Sequence, residues 1–262
     1  MMLQKKVAVV YGAGGDIGGA VARAFAREGA RVFLSGRTLS KVEAVVAAIR
    51  DRGGIAEAAQ VDALDEQSVD RFVASVAEKA GGIDISFNAI ATARPVPKLP
   101  LTELSAEDFA LPISTYTLAN FLTARAAARR MVARRSGVIL TITGTPGRVG
   151  FLNVGGNAPA YAAVVALTRT LSAELGPQGV RVLCLMPNAI PESALIRESF
   201  RHYAKAVGVT QAEFQARFES MTHLRRLTTL DELANTAAFL ASGHASAMTG
   251  TVVNLSGGAV VD

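Results

Sequence analysis

The stretch Val7–Ala22, VAVVYGAGGDIGGAVA, decides the fold. An apolar run leads into a glycine cluster, and the cluster leads into residues with helical spacing. A short run of continuous apolar character reads as a strand buried on both faces. Gly12, Gly14 and Gly18 let the backbone turn tightly and let a ligand approach it closely. The free N–H groups at the start of the following helix favour an anion. Strand, glycine turn and helix in that order form a seat for a pyrophosphate. Asp16 stands inside this seat. A carboxylate repels a phosphate, but it also suits a helix N-terminus. Asp16 is therefore expected to point away or to cap this helix, and as a cap it would take the place a phosphate would occupy.

Outward from this stretch the same rhythm repeats. Strand candidates are KKVAVVYG, ARVFLSG, IAEAAQVD, IDISFNA, GVILTIT, VRVLCLMP and TVVNLSG. Between them lie segments with apolar residues three and four apart, most of them ending near glycine. The alternation predicts one α/β domain over residues 1–262, a doubly wound, seven-stranded parallel sheet with right-handed crossovers. One segment breaks the rhythm, about 188–227. It follows the carboxyl end of a strand, where such sheets bind ligands, and reads as a substrate lid.

Composition narrows the function classes. The chain has 262 residues, and 50% of them are hydrophobic, which suits one large core. The single cysteine, Cys184, excludes an internal disulfide framework and fits a reducing, cytoplasmic setting. No apolar run reaches the ~18 residues of a membrane span, and the start MMLQKKVAVVYG does not read as a signal peptide. The net charge is +5, but the basic residues are scattered and no aromatics interleave with them, so nucleic acid is not the expected partner. No metal-ligand spacing and no Ser-His-Asp or Cys-His arrangement is visible. Of His202, His223 and His244, only His202 lies on a helical, ligand-side stretch.

Two further positions bear on a dinucleotide. A site selective for NAD places an acid at the end of the second strand, for the ribose hydroxyl. Here FLSGRTLSK supplies Gly36 and Arg37, and an arginine pairs with a 2′-phosphate, so NADP is preferred over NAD. Asp62, at the end of the third strand, has two open readings: it bonds an adenine amine, or it caps the next helix.

With these residues in view, the sequence resembles the short-chain dehydrogenase/reductase family over essentially its whole length. The resemblance rests on YGAGGDIG, GR after the second strand, VDALDEQSV, FNAI, the helix containing Tyr161, MPNAI, and the tail RRLTTLDELANTAAFLASGHASAMTGTVVNLSGG. It implies a Rossmann-type fold, a homo-tetramer or homodimer with the long helix and the Tyr161 helix at an interface, and NAD(P)-dependent oxidoreductase chemistry. It also implies a cofactor site built from Gly12, Gly14, Asp16, Ile17, Gly18, Arg37, Asp62, Asn88, Ala89 and Ile190.

The family uses an Asn, a Ser, a Tyr and a Lys. The resemblance keeps Tyr161, and places Tyr116 at the Asn position, Gly144 at the Ser position and Val165 at the Lys position. Thr143 and Thr145, beside Gly144, are the candidate substitutes for the serine. The expected function is NADP(H)-dependent reduction of a small, mostly apolar carbonyl-type substrate. The alternative is a protein of the same fold without this redox activity: a binding or partner subunit, or an enzyme of lyase or isomerase chemistry.

Overall fold

The computed structural model describes residues 1–92 and 94–261. Seven parallel strands form one sheet in the order β3-β2-β1-β4-β5-β6-β7. They are β1 Val7–Tyr11, β2 Arg31–Gly36, β3 Ile55–Gln60, β4 Ile85–Asn88, β5 Gly137–Ile142, β6 Val180–Pro187 and β7 Val252–Leu255. The helices are α1 Asp16–Arg27, α2 Leu39–Arg50, α3 Glu66–Ala80, α4 Ala106–Ala133, α5 Asn157–Leu175, α6 Ala194–Ala206, α7 Gln211–Ser220 and α8 Leu230–Ala241. The predicted α/β doubly wound sheet is the observed one.

Burial explains the strand sequences. Every residue of β1 and β4 is buried, as continuous apolar runs require. One core lies under α1, α2 and α8, around Val21, Phe25, Leu34, Phe87 and Leu183. The other lies under α3, α4 and α5, around Tyr11, Phe72, Ala127, Met131 and Val182. Asp84, buried at the amino end of β4, accepts the Val7 N–H at 2.8 Å and pairs with Arg134 at 3.3 Å. This locks the lower edge of the sheet.

The chain reverses direction across the sheet between β1 and β4, which pair with Tyr11 opposite Asn88. In open α/β sheets ligands bind in the crevice outside the carboxyl ends of the strands at such a switch point. The loops after β1, β4, β5 and β6 therefore gather most of the residues singled out above, with Arg37 and Asp62 after β2 and β3. Among the described residues, no helix is long and apolar enough to cross a membrane.

Candidate active site

The glycine loop is fitted backbone to backbone. Gly12 has φ +71°, and a Cβ there would lie 2.6 Å from the Ala89 carbonyl oxygen. A Cβ on Gly18 would lie 2.4 Å from the Gly12 carbonyl oxygen, so the first turn of α1 presses on the loop itself. Gly14 sits against Lys41 of α2. Ile17 and Ile190 both belong to the core beneath, Ile190 fully buried and Ile17 partly. Asn88 holds the next loop: its Nδ2 donates to the Ala119 carbonyl at 3.1 Å and to Thr123 Oγ1 at 2.9 Å, and its Oδ1 accepts from the Ile90 N–H at 2.9 Å. The cradle has the bare backbone that a pyrophosphate requires.

Arg37 is exposed between β2 and α2, and its guanidinium forms no ion pair among the described residues. Asp62 is not a helix cap. Its carboxylate accepts the Leu64 N–H at 3.0 Å, while Asp65, three residues on, caps α3 by accepting from Gln67 N–H at 3.0 Å. Asp62 therefore keeps an exposed carboxylate oxygen at the carboxyl end of β3.

Asp16 also departs from expectation. It is the first residue of α1, and the cap position is Gly15, with no side-chain cap bond. Its Oδ2 instead accepts the Ala194 N–H at 2.7 Å. The carboxylate thus satisfies a free amide in the first turn of α6, beside the Ser193 cap. Ser193 itself is buried and donates to the Ile190 carbonyl at 2.8 Å.

Tyr161 lies on α5, half-buried, directly against Gly144. A Cβ on Gly144 would lie 3.1 Å from Tyr161 Cε2. Across from it, on α4, is Tyr116, with ring centroids 5.6 Å apart and planes at 36°. Burial pushes both phenols above their ordinary range, and the neighbouring Tyr116 raises Tyr161 further. Val165 follows one turn along α5.

The two candidate threonines face elsewhere. Thr143 Oγ1 is 3.5 Å from Cys184 Sγ and 3.5 Å from the Leu185 carbonyl, inside the sheet core. Thr145 Oγ1 donates to Asn188 Oδ1 at 3.1 Å, joining the loops after β5 and β6. Neither hydroxyl bonds Tyr161.

The segment 188–227 carries α6 and α7, which build a small core of their own. Phe200 packs on Phe214 and Phe218 at 5.5 and 5.1 Å, with Ala189 and Leu227 beneath. Phe151, from the loop after β5, stacks on Phe218 at 6.3 Å. Of the large apolar residues in this segment, Leu195, Val207, Met221 and Leu224 are exposed, at 58%, 54%, 57% and 62%. His202 is exposed and lies edge-on to Tyr203 at 5.5 Å. One residue the sequence reading passed over is Lys98, in the loop after β4. Its Nζ donates to Ser199 Oγ at 2.8 Å and lies 5.3 Å over the Tyr203 ring, and burial lowers its pKa. Among the described residues, no group of acidic, His or Cys side chains is arranged to hold a metal ion.

Comparison with known proteins agrees with this architecture. A family model described as enoyl-(acyl carrier protein) reductase matches residues 12–260. The 7alpha-hydroxysteroid dehydrogenase of Escherichia coli (strain K12) is 30% identical over 260 residues, covering 99% of this chain and 96% of that one. The galactitol 2-dehydrogenase of Agrobacterium fabrum is 30% identical over 263 residues, covering 98% of each. Among solved structures, a variant of actinorhodin polyketide ketoreductase with NADPH aligns with TM-score 0.89 at 26% identity, covering 97% of each chain. An NAD+-bound xylitol dehydrogenase aligns with TM-score 0.91 at 26% identity, covering 98% of this chain and 100% of that one. A whole-chain family match, relatives that are dehydrogenases, and the glycine cradle at the switch point together assign the chain to the short-chain dehydrogenase/reductase family of oxidoreductases.

Proposed function

We propose that the chain reduces a small, mostly apolar carbonyl compound, with NADPH as hydride donor and Tyr161 as proton donor. The observation that carries this reading is the Tyr161 phenol, seated on Gly144 at the carboxyl ends of the strands and kept protonated by burial. An ordinary phenol has a pKa near 10. Tyr161 stands well above that, so at neutral pH it is a very scarce base. A protonated phenol still gives its proton readily to an alkoxide forming beside it. This asymmetry favours reduction over oxidation.

The bound cofactor would supply the hydride. Gly12, Gly14 and Gly18 would admit its pyrophosphate against bare backbone, and Ile17, Ala89 and Ile190 would flank it. Arg37, exposed and without an ion pair among the described residues, would hold the 2′-phosphate, and Asp62 would accept from the adenine amine. Asn88 fixes the loop after β4. Thr145, tied to Asn188, sets the floor of the substrate site, and Thr143 holds that loop to the sheet. The segment 188–227 would act as the lid. Exposed Leu118 and Phe121 on α4 support burial of that helix in a homo-oligomer.

The test is a fluorescence titration with NADPH and NADH, followed by a ketone panel. NADPH should bind at least tenfold tighter than NADH, Arg37→Ala should remove most of that difference, and Tyr161→Phe should bind cofactor but lose ketone reduction. No binding of either cofactor at millimolar concentration would overturn the reading. One observation favours the alternative of a non-redox protein on this fold: among the described residues, no cation acts on either phenol. Its signature would be cofactor binding without turnover of any carbonyl.

A further inference from the structure

We propose that Lys98 is a specificity residue of the substrate site: its ammonium receives a carboxylate carried by the ketone, so that the substrate is an oxo acid with an apolar middle. This rests on the reductase reading above and names the substrate class for that same site.

The place of Lys98 follows from the three segments that meet around it. Its loop, after β4, packs on the loop after β5: a Cβ on Gly155 would lie 2.9 Å from Leu104 Cδ2 and 3.8 Å from Val96 Cγ1. Helix α5 begins at Asn157, just beyond Gly155, and Tyr161 lies one turn along it. From the other side α6 closes on both loops. The Tyr203 hydroxyl donates to the Asn153 carbonyl at 3.1 Å and to the Leu152 carbonyl at 3.4 Å. Lys98 Nζ donates to Ser199 Oγ at 2.8 Å and lies 5.3 Å over the Tyr203 ring. Lys98 thus stands where the lid, the loop after β4 and the loop leading into the Tyr161 helix come together.

What Lys98 lacks is a counter-ion. An ammonium has three N–H donors and no acceptor. One donor goes to Ser199, whose own proton goes to the Leu195 carbonyl at 2.8 Å. Among the described residues, Nζ makes no other hydrogen bond and no ion pair. The Tyr203 face adds a weak attraction. Glu198, beside Ser199 on α6, attracts Lys98 through space without pairing with it. Arg94, in the same loop, is by contrast spent on Glu107 at 3.0 Å and Asp108 at 2.6 Å. Burial lowers the Lys98 pKa, as it does for a charge withdrawn from water and only partly recompensed. Such a cation gains most from a ligand that brings an opposite charge to its open donors. One ammonium suits the single charge of a carboxylate better than a phosphate dianion.

The test compares a series of methyl ketones ending in a carboxylate with their methyl esters, reduced with NADPH. In the wild type the acid of best length should exceed its ester in kcat/KM by roughly 10- to 100-fold, mostly through KM. Lys98→Met should remove the preference, and Lys98→Arg should keep most of it. Ser199→Ala removes the partner of Lys98 but not its charge, and should keep the preference too. If Lys98 only latches the lid, Lys98→Met lowers acid and ester alike and the preference survives. That result, or a wild type with no preference for any acid, would overturn the proposal and leave the reductase standing. If no carbonyl is reduced, the reductase reading fails, and calorimetry of acid and ester on the NADPH-loaded protein decides the rest. Acid binding that Lys98→Met abolishes would uphold the carboxylate site, whereas equal or absent binding of acid and ester would overturn it as well.

Discussion

The Asp16 carboxylate links the glycine loop to α6, and replacing it separates two effects. Asp16→Asn keeps an oxygen that accepts the Ala194 N–H, now at 2.7 Å, but removes the charge. Asp16→Ala removes both. A capping hydrogen bond is worth about 0.5–2 kcal/mol. Asp16 is exposed, which puts this bond in the lower half of that range. The charge acts on the cofactor. Asp16 is two residues from Gly18, which places it within about 8 Å of a phosphate in the cradle. At that separation two unit charges repel by about 0.5 kcal/mol in water and about 2 kcal/mol at an effective dielectric of 20. Asp16→Asn should therefore tighten NADPH binding by roughly 2- to 30-fold, with little change in hydrogen exchange along α6. Asp16→Ala should tighten binding similarly and lower the protection of the first α6 amides by roughly 2- to 5-fold. Calorimetry and amide exchange measure the two. An unchanged or weaker NADPH affinity in Asp16→Asn would refute the reasoning.

Two further predictions concern stability. Gly12→Ala and Gly53→Ala both place a side chain at positive φ, +71° and +79°, but only Gly12 has backbone in the way, 2.6 Å from the new Cβ, while Gly53 has nothing within 4 Å. The left-handed backbone alone costs about 1–2 kcal/mol, so Gly53→Ala should lower Tm by a few degrees and Gly12→Ala by at least twice as much in parallel calorimetry; equal shifts would contradict the close packing at Ala89. Glu232 accepts from Arg226 at 2.6 and 2.8 Å and from the Thr229 N–H at 3.0 Å, which lowers its pKa to about 2. A depressed carboxylate adds stability that is fully present above its unfolded pKa and is lost as pH falls toward about 2. The pair is exposed and its contribution small, so Glu232→Gln should slightly lower Tm at neutral pH and flatten its fall between pH 4.5 and about 2; a fall as steep as in the wild type would sink this.

The fold was legible because its signals are local. Val7–Tyr11 is buried at every position, and that is why it is continuously apolar. Much of the site was less legible, because its contacts are distant or depend on which way a side chain points. The partner of Asp16 is 178 residues away. Asp62 was the candidate cap for the helix after β3, and the turn geometry gives that role to Asp65, three residues on. The inward turn of Thr143 had a signal: strand side chains alternate, so Thr143 shares a face with Thr141, which is buried against Thr168 at 3.0 Å. Lys98 had one too, as a lone cation in the apolar, proline-rich run PVPKLP, but its contact with Ser199 spans 101 residues. Tyr116 lies on α4, yet no sequence spacing predicts that its ring meets Tyr161 across two helices.

The unusual residues around Tyr161 make more sense together than one by one. With glycine at 144 the Tyr161 ring lies against the backbone of the β5 loop. A serine there would need the ring to give by a few tenths of an ångström, since its Cβ would start 3.1 Å away. With tyrosine at 116 the space between α4 and α5 is filled by a second phenol rather than by a short amide. With valine at 165 the position one turn along α5 is apolar, and burial raises both phenols. Installing a lysine at 165 would not by itself restore a tyrosine–lysine site, because the Tyr116 ring would still fill the gap between α4 and α5 beside Tyr161.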